Sequence, residues 1–288
     1  MADIQSHFVE VDGINTHYLE AGDKNAPTVA LLHSGEFGGC AEISWEFNIP
    51  ALAEHFHVVA PDWLGFGRTD KVYDFADQRR RVYGHMSRFY EVMGITEADF
   101  IGNSMGGSNL ARIIADPPPI LPVRSAILCS GGGFTPLTEE RKTLLAYDGT
   151  PGAMRALLQA MLDDPKWGDD EAYVAKRQEM ALMPGAFECA SAPRLKRPEP
   201  EKKEEKSGGQ SFGIPDNTVY ENVEVPVLII AGANDPLREP GYSASLAERI
   251  PDNEHLVYEN CGHCPNIEHA DRFNADAIDF LKRVHARG

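Results

Sequence analysis

Gly102-Asn103-Ser104-Met105-Gly106 places a serine between glycines where a short apolar segment, Ala98–Ile101, gives way to a helix-forming one. A serine at a strand-to-helix turn is forced into a strained backbone conformation. Its hydroxyl is thereby lifted clear of the sheet, and glycines flank it because a Cβ there would strike the neighbouring strand or helix. Serine attacks a carbonyl only when a base takes its proton and a third group orients that base. Both partners follow in the chain order such a sheet requires, acid before histidine. The apolar run Val225–Gly232 reads as a central parallel strand and ends in Ala233-Asn234-Asp235-Pro236, with Asp235 in the loop beyond it. The shorter run His255–Tyr258 leads into Glu259-Asn260-Cys261-Gly262-His263. Ser104, Asp235 and His263 therefore share one edge of a sheet, where α/β folds place their chemistry.

Nucleophilic attack also needs a place for the negative charge that develops on oxygen. Thr28–Leu32 reads as another buried strand, followed by the small-residue loop His33-Ser34-Gly35-Glu36-Phe37-Gly38-Gly39. A backbone N–H of Gly35 and that of Met105 can form such a site, and each donor of this kind contributes roughly 3 kcal/mol to catalysis. The chemistry implied is acyl transfer, with no cofactor and no metal.

The elements that hold these loops are readable from hydrophobic periodicity. Phe8–Val11 and Ile14–Glu20 alternate around Asp12-Gly13, which predicts an antiparallel hairpin. Strands and helices then alternate from Thr28 to about Cys129, predicting an α/β fold with a mostly parallel central sheet and helices on both faces. Arg79–Met93 carries apolar residues at helical spacing and reads as a covering helix. From 135 to 224 the alternation stops: Leu137–Tyr147, Ala153–Leu162 and Asp170–Leu182 read as amphipathic helices with no strand between them. The reading is a core of residues 1–134 and 225–288 with a helical insertion, 135–224, after the sixth strand. Within the insertion, Pro193–Ser211 is charged and rich in Pro and Gly, and reads as a mobile surface loop.

Composition narrows the partners. The chain has 288 residues and a net charge of −17, which argues against nucleic acid and anionic membrane surfaces and leaves a small molecule, or further copies of the chain, as partners. No apolar run approaches membrane-spanning length and Met1–Phe8 has no targeting pattern, so a cytoplasmic location is expected. Five cysteines, an odd number, point to reduced thiols. Cys261-Gly262-His263-Cys264 has redox spacing, which keeps a redox or non-catalytic protein as a remote alternative. Zinc lacks a distant fourth ligand.

Other polar residues read as structural. Asp62, in Pro61-Asp62-Trp63-Leu64-Gly65, suits a turn cap. His33 is expected to hold the following loop by hydrogen bonds, His55 and His57 to pack or face solvent, and His269 to start a helix.

On these motifs, with Pro61–Asp70 and Cys261-Gly262-His263, the chain resembles the α/β-hydrolases along nearly its whole length. It is most similar to the meta-cleavage-product hydrolases, which split a carbon–carbon bond in dienoate products of aromatic ring cleavage. The residues that carry this are Gly102–Gly107, Ser130-Gly131-Gly132-Gly133-Phe134, and Gly262-His263 followed by Glu268–Asp271 and Phe273-Asn274. The resemblance implies that the insertion is a cap over the active site. It also implies that Arg177 grips the substrate carboxylate, that Asn103 polarises the dienolate oxygen, and that Gly35 belongs to the oxyanion loop. Ser34, Glu36 and Cys264 are expected at the substrate as well. Glu36 stands where the family has glycine, and would repel an anionic substrate unless it faces solvent. Cys264 replaces the usual tryptophan and would leave a smaller pocket wall. Ser104 in the nucleophile position argues against haloalkane dehalogenase and epoxide hydrolase chemistry, which needs a carboxylate there. C–C hydrolysis of a 2-hydroxy-6-oxo-dienoate is the first reading; a carboxylesterase, lactonase or amidase is the second.

Overall fold

The computed structural model describes residues 3–195 and 213–287; the greater part of the expected 193–211 loop lies outside them. The hairpin forms as β1 (Gln5–Val11) and β2 (Ile14–Ala21), turning at Asp12 and Gly13 with φ of 49° and 81°. Those left-handed values are what a two-residue hairpin turn requires. β3 (Thr28–Leu32), β4 (His57–Pro61), β5 (Ala98–Asn103) and β6 (Val123–Cys129) follow, with β9 (Val227–Gly232) and β10 (Asn253–Tyr258) near the end of the chain. Together they make one eight-stranded sheet in the order β1-β2-β4-β3-β5-β6-β9-β10, parallel from β4 to β10.

β5 and β9 are buried at every position, and β9 is apolar throughout, because both faces are covered. Alternate residues serve alternate faces. Ala30, Leu32, Phe100 and Leu128 pack under α3 (Gln78–Val92), α4 (Met105–Ile114) and α10 (Tyr242–Arg249). Val29, Leu31, Ile101 and Ile230 pack under α1 (Ala41–Trp45), α2 (Ile49–Leu52) and α12 (Ala270–Arg287), against which α11 (Pro265–Glu268) also rests. On α12 the buried residues Phe273, Ala277, Phe280, Leu281 and Val284 fall at helical spacing.

Between β6 and β9 lie α5 (Glu139–Leu145), α6 (Pro151–Met161), α7 (Lys166–Asp169), α8 (Glu171–Ala181) and α9 (Ala186–Ser191). The three longer helices match the sequence reading within two residues at each end. α7 and α9 are too short to leave a periodic signature. No strand lies between these helices, as expected; β7 (Thr135–Pro136) and β8 (Gly213–Ile214) flank them and pair antiparallel, closing the insertion at its two ends. Only two residues on each side take part, too few for an alternating pattern. The helices share a core of their own that includes Tyr147, Leu157, Met161 and Val174. Phe37, Leu237 and Cys264 enter it from the loops after β3, β9 and β10. The insertion is thus packed onto the loops after β3, β9 and β10. No described helix is long and apolar enough to cross a membrane.

Candidate active site

Ser104 ends β5 and starts α4 with φ 52° and ψ −108°, a conformation that costs a non-glycine residue on the order of 1–3 kcal/mol. The turn is tight enough to dictate its neighbours. A Cβ on Gly106 would lie 2.1 Å from the Leu32 carbonyl oxygen, and one on Gly102 would lie 2.6 Å from the Gly106 backbone. Ser104 Oγ donates to His263 Nε2 at 2.7 Å, and His263 Nδ1 donates to Asp235 Oδ2 at 2.7 Å. The other carboxylate oxygen of Asp235 accepts from the Leu237 N–H at 2.9 Å. Burial pushes the Asp235 carboxyl up, but the charge and hydrogen bond of His263, with Arg238 nearby, bring it to below the usual aspartate range. It is thus held ionised, as a group that orients a base must be.

The N–H groups of Gly35 and Met105 have no acceptor among the described residues, and both residues line the same cavity as Ser104 and His263. A Cβ on Gly35 would meet the Met105 Cβ at 2.9 Å, so the two donors sit close together. The loop that presents Gly35 is fixed as expected. His33 Nε2 accepts from Trp63 N–H at 2.9 Å while its Nδ1 donates to Ser34 O at 2.6 Å. Burial drives the His33 pKa down, keeping the ring neutral and able to accept at one nitrogen while donating at the other.

The cavity has a volume of about 630 Å³ and lies between the nucleophile turn, α3, α4 and the insertion. Glu36 lines it but does not face solvent. Its carboxylate accepts from Arg177 Nη1 at 2.6 Å, with both side chains buried. Burial raises the Glu36 pKa, and the Arg177 charge and a hydrogen bond from Ser34 outweigh this to leave it lowered. Arg177 is wholly buried, stacks on Tyr173 at 5.3 Å, and has Nε and Nη2 without partners among the described residues.

Three other expected substrate residues point elsewhere. Ser34 Oγ is bonded to Ser44 Oγ at 2.9 Å, and the Asn103 amide donates to Cys129 Sγ at 3.5 Å. Cys264, expected as a pocket wall, is instead a packing residue in the core of the insertion, because its loop is drawn up under α6 where the His263 N–H donates to the Met161 carbonyl at 2.8 Å. Cys261 and Cys264 are free and buried, and burial drives both thiols far up, which removes the thiolate that redox chemistry needs.

Two features were not read from the sequence. Buried Arg238 donates to the carbonyls of Ser130 and Gly132 and to Ser108 Oγ, tying the Asp235 loop to the end of β6 and to α4. Its place three residues after Asp235 was the available signal. A second Ser-His-Asp chain also exists: Ser6 Oγ donates to His17 Nε2 at 2.9 Å, and His17 Nδ1 donates to Asp62 Oδ2 at 2.7 Å. Its serine stands on the exposed strand β1, away from the cavity. Asp62 also takes the N–H groups of Ala41 and Arg68, at 2.7 and 2.8 Å, as a turn cap does.

A parallel sheet wound on both faces, a serine on a strained strand-to-helix turn and paired N–H groups beside it define an α/β-hydrolase. The match to the model of the alpha/beta hydrolase family spans residues 29–276, and the chain belongs to that family. It is 29% identical over 278 residues, 96% of this chain and 90% of the relative, to the 2-hydroxy-6-oxo-6-(2'-aminophenyl)hexa-2,4-dienoic acid hydrolase of Metapseudomonas resinovorans. To the 2-hydroxymuconate semialdehyde hydrolase of Pseudomonas sp. strain CF600 it is 28% identical, over 95% of this chain and 93% of that one. The structure of the 2-hydroxy-6-oxo-6-phenylhexa-2,4-dienoate hydrolase from Rhodococcus sp. strain RHA1 superposes with a TM-score of 0.81 at 25% identity, covering 98% of this chain and 100% of the other. The similarity is to meta-cleavage-product hydrolases, and the chain is a hydrolase.

Proposed function

We propose that the chain hydrolyses the carbon–carbon bond beside the ketone of a 2-hydroxy-6-oxo-dienoate, with Ser104 as nucleophile and without a cofactor. The observation that carries this reading is the relay of 2.7 Å bonds from Asp235 through His263 to Ser104, beside the open N–H groups of Gly35 and Met105. The substrate class comes from the relatives, whose names specify dienoates.

A carbon–carbon bond breaks heterolytically only if the departing carbon can shed its electron pair. Moving the 2-hydroxyl proton to C5 gives the 2-keto tautomer, whose C2 carbonyl is conjugated through C3=C4 to C5. Ser104 Oγ adds to C6 as His263 takes its proton, and the oxyanion sits on the Gly35 and Met105 N–H groups. The C5–C6 bond then breaks, its electron pair running to the C2 oxygen as a dienolate, which takes the proton back from His263. Water, deprotonated by His263, hydrolyses the acyl-serine. One water is consumed; 2-hydroxypenta-2,4-dienoate and a carboxylic acid leave. Asp235 keeps Nε2 of His263 free to accept. The substrate carboxylate is assigned to Arg177, whose guanidinium is buried behind Glu36 and off the cavity lining, so that Glu36 must swing aside to expose the fork.

One observation favours a second reading. Glu36 already supplies Arg177 with a carboxylate, which suits a neutral ester, lactone or amide. Following the absorbance of a panel of 2-hydroxy-6-oxo-dienoates beside p-nitrophenyl esters separates the two. Rapid loss of a dienoate with slow ester turnover supports C–C hydrolysis; inert dienoates with rapid ester turnover replace it by esterase chemistry.

A further inference from the structure

Asp235 lies on a loop of irregular backbone that must be held at a fixed reach from Ser104. On its N-terminal side the loop is tied to the chain after β10: Ala233 N–H donates to Tyr258 O at 2.8 Å and Asn234 N–H to Cys261 O at 2.9 Å. On its C-terminal side the side chain of Arg238 makes the crossing towards the serine. Nη1 donates to Gly132 O at 2.7 Å, and Nη2 donates to Ser130 O at 2.6 Å and to Ser108 Oγ at 3.1 Å. Nε donates to Ser130 O as well, at 3.2 Å. Ser108 Oγ also accepts the Gly132 N–H at 3.0 Å, and the Ser108 N–H donates to Ser104 O at 2.8 Å. One guanidinium therefore joins the acid loop, the end of β6 and the first turn of the helix that Ser104 opens.

What Arg238 grips is itself rigid. Ser130 has φ 49°, a left-handed conformation that a non-glycine residue keeps only when its surroundings hold it, and its carbonyl takes two of the bonds from Arg238. A Cβ on Gly131 would lie 2.4 Å from the Gly107 backbone, so the end of β6 and α4 touch with no room to slide. The planar fork is what lets one side chain reach three acceptors in fixed directions; a lysine ammonium has no such geometry. Arg238 is buried and stacks on Tyr242 at 5.2 Å, and among the described residues no carboxylate forms an ion pair with it, Asp235 being paired with His263. Burying a cation without a partner anion is costly for the fold alone. Its charge nevertheless reaches the acid. Against the upward push of burial, the charges of His263 and Arg238 keep the Asp235 carboxyl below its usual range. The other ionisable groups facing Arg238 are Arg141 from α5 and Tyr242 from α10.

We propose that Arg238 is a positioning residue for the acid of the relay, a strut that fixes Asp235, and through it His263, at bonding distance from Ser104. This rests on Ser104, His263 and Asp235 acting as a nucleophilic relay, whichever bond is cleaved. Arg238 touches neither substrate nor reacting atoms and works through Asp235 alone: by geometry, and by a positive charge that opposes protonation of the Asp235–His263 pair.

The test is the rate at which a fluorophosphonate labels Ser104, read by mass spectrometry, with p-nitrophenyl ester turnover beside it; neither needs a dienoate. In Arg238→Met, labelling rate and kcat fall by about 10²-fold, the loss that a misplacement of about 1 Å carries, while KM changes less than about two-fold and the circular dichroism spectrum is retained. Arg238→Lys restores the charge without the fork and stays slow. The acid limb of the labelling rate moves to higher pH in Arg238→Met and stays with the wild type in Arg238→Lys. A purely structural role would lower the Tm and the fraction of protein labelled but leave the rate constant of the folded fraction and the acid limb in place, and that result overturns the proposal. Where Arg238→Met does not fold, Ser108→Ala removes only the Nη2 acceptor on α4. A labelling rate lowered about three- to ten-fold then supports the strut, and a wild-type rate overturns it. No labelling of Ser104 in the wild type overturns the relay and the role of Arg238 together; labelled wild type with inert dienoates overturns the C–C reading alone, and the strut is then judged on the variants.

Discussion

Glu36→Gln removes one charge from a buried pair while keeping its volume, so the effect is electrostatic and leaves no cavity. Arg177 becomes a wholly buried guanidinium with Nε and Nη2 unpartnered and only a neutral amide oxygen at Nη1. Breaking a buried pair in this way costs about 3–5 kcal/mol, and the remaining amide bond puts the expectation near the lower end. At roughly 2–4 °C per kcal/mol for a domain of this size class, the Tm falls by about 6–12 °C. The sign with pH is fixed by the lowered pKa of Glu36 in the folded chain. Its contribution is present in full above the glutamate value of 4.5 and is lost as pH falls through the folded pKa. The gap in Tm between wild type and Glu36→Gln is therefore wide at pH 7 and narrows in acid. Function moves oppositely to stability. A substrate carboxylate no longer competes with Glu36 for Arg177, so KM for a dienoate drops several-fold, while p-nitrophenyl ester KM does not. Scanning fluorimetry across pH and initial rates on both substrates measure this. An unchanged Tm at pH 7, or a raised dienoate KM, refutes the reasoning.

Asp235→Asn leaves His263 without an anion at Nδ1 and lets the wrong tautomer form; kcat drops by about 10⁴ with the circular dichroism spectrum retained, in a stopped-flow assay. Gly106→Ala sets a methyl 2.1 Å from the Leu32 carbonyl oxygen, backbone against backbone; it abolishes soluble expression or lowers the Tm by about 6 °C or more, since about 3 kcal/mol or more of strain has no flexible side chain to absorb it.

The parts legible in the sequence are those whose pattern is local. Val227–Gly232 is apolar at every position because both its faces are covered, and Asp235 follows it within a few residues, so strand and acid were read together. The same holds for Ile101 and Ser104. The sites that escaped depend on partners far apart in the chain. Glu36 and Arg177 are separated by 141 positions, and nothing in either neighbourhood announces the other. Read singly, Glu36 is a repulsive charge and Arg177 a free clamp; together they are a buried pair. Cys264 was assigned by its place after His263, but the loop is pulled under α6 by the bond from His263 N–H to Met161 O, and its side chain joins the insertion's core. The resemblance could assign a position there but not the direction of a side chain.

The central claim is that Ser104 cuts a carbon–carbon bond by acyl transfer. Its most direct test is product analysis by mass spectrometry after turnover of a 2-hydroxy-6-oxo-dienoate in H₂¹⁸O, with Ser104→Ala beside the wild type. The account predicts 2-hydroxypenta-2,4-dienoate and a carboxylic acid in equal amounts, new ¹⁸O in the acid, and no fragments above background from Ser104→Ala. Fragments formed at the wild-type rate by Ser104→Ala, or substrate consumed without the five-carbon dienoate appearing, would contradict it.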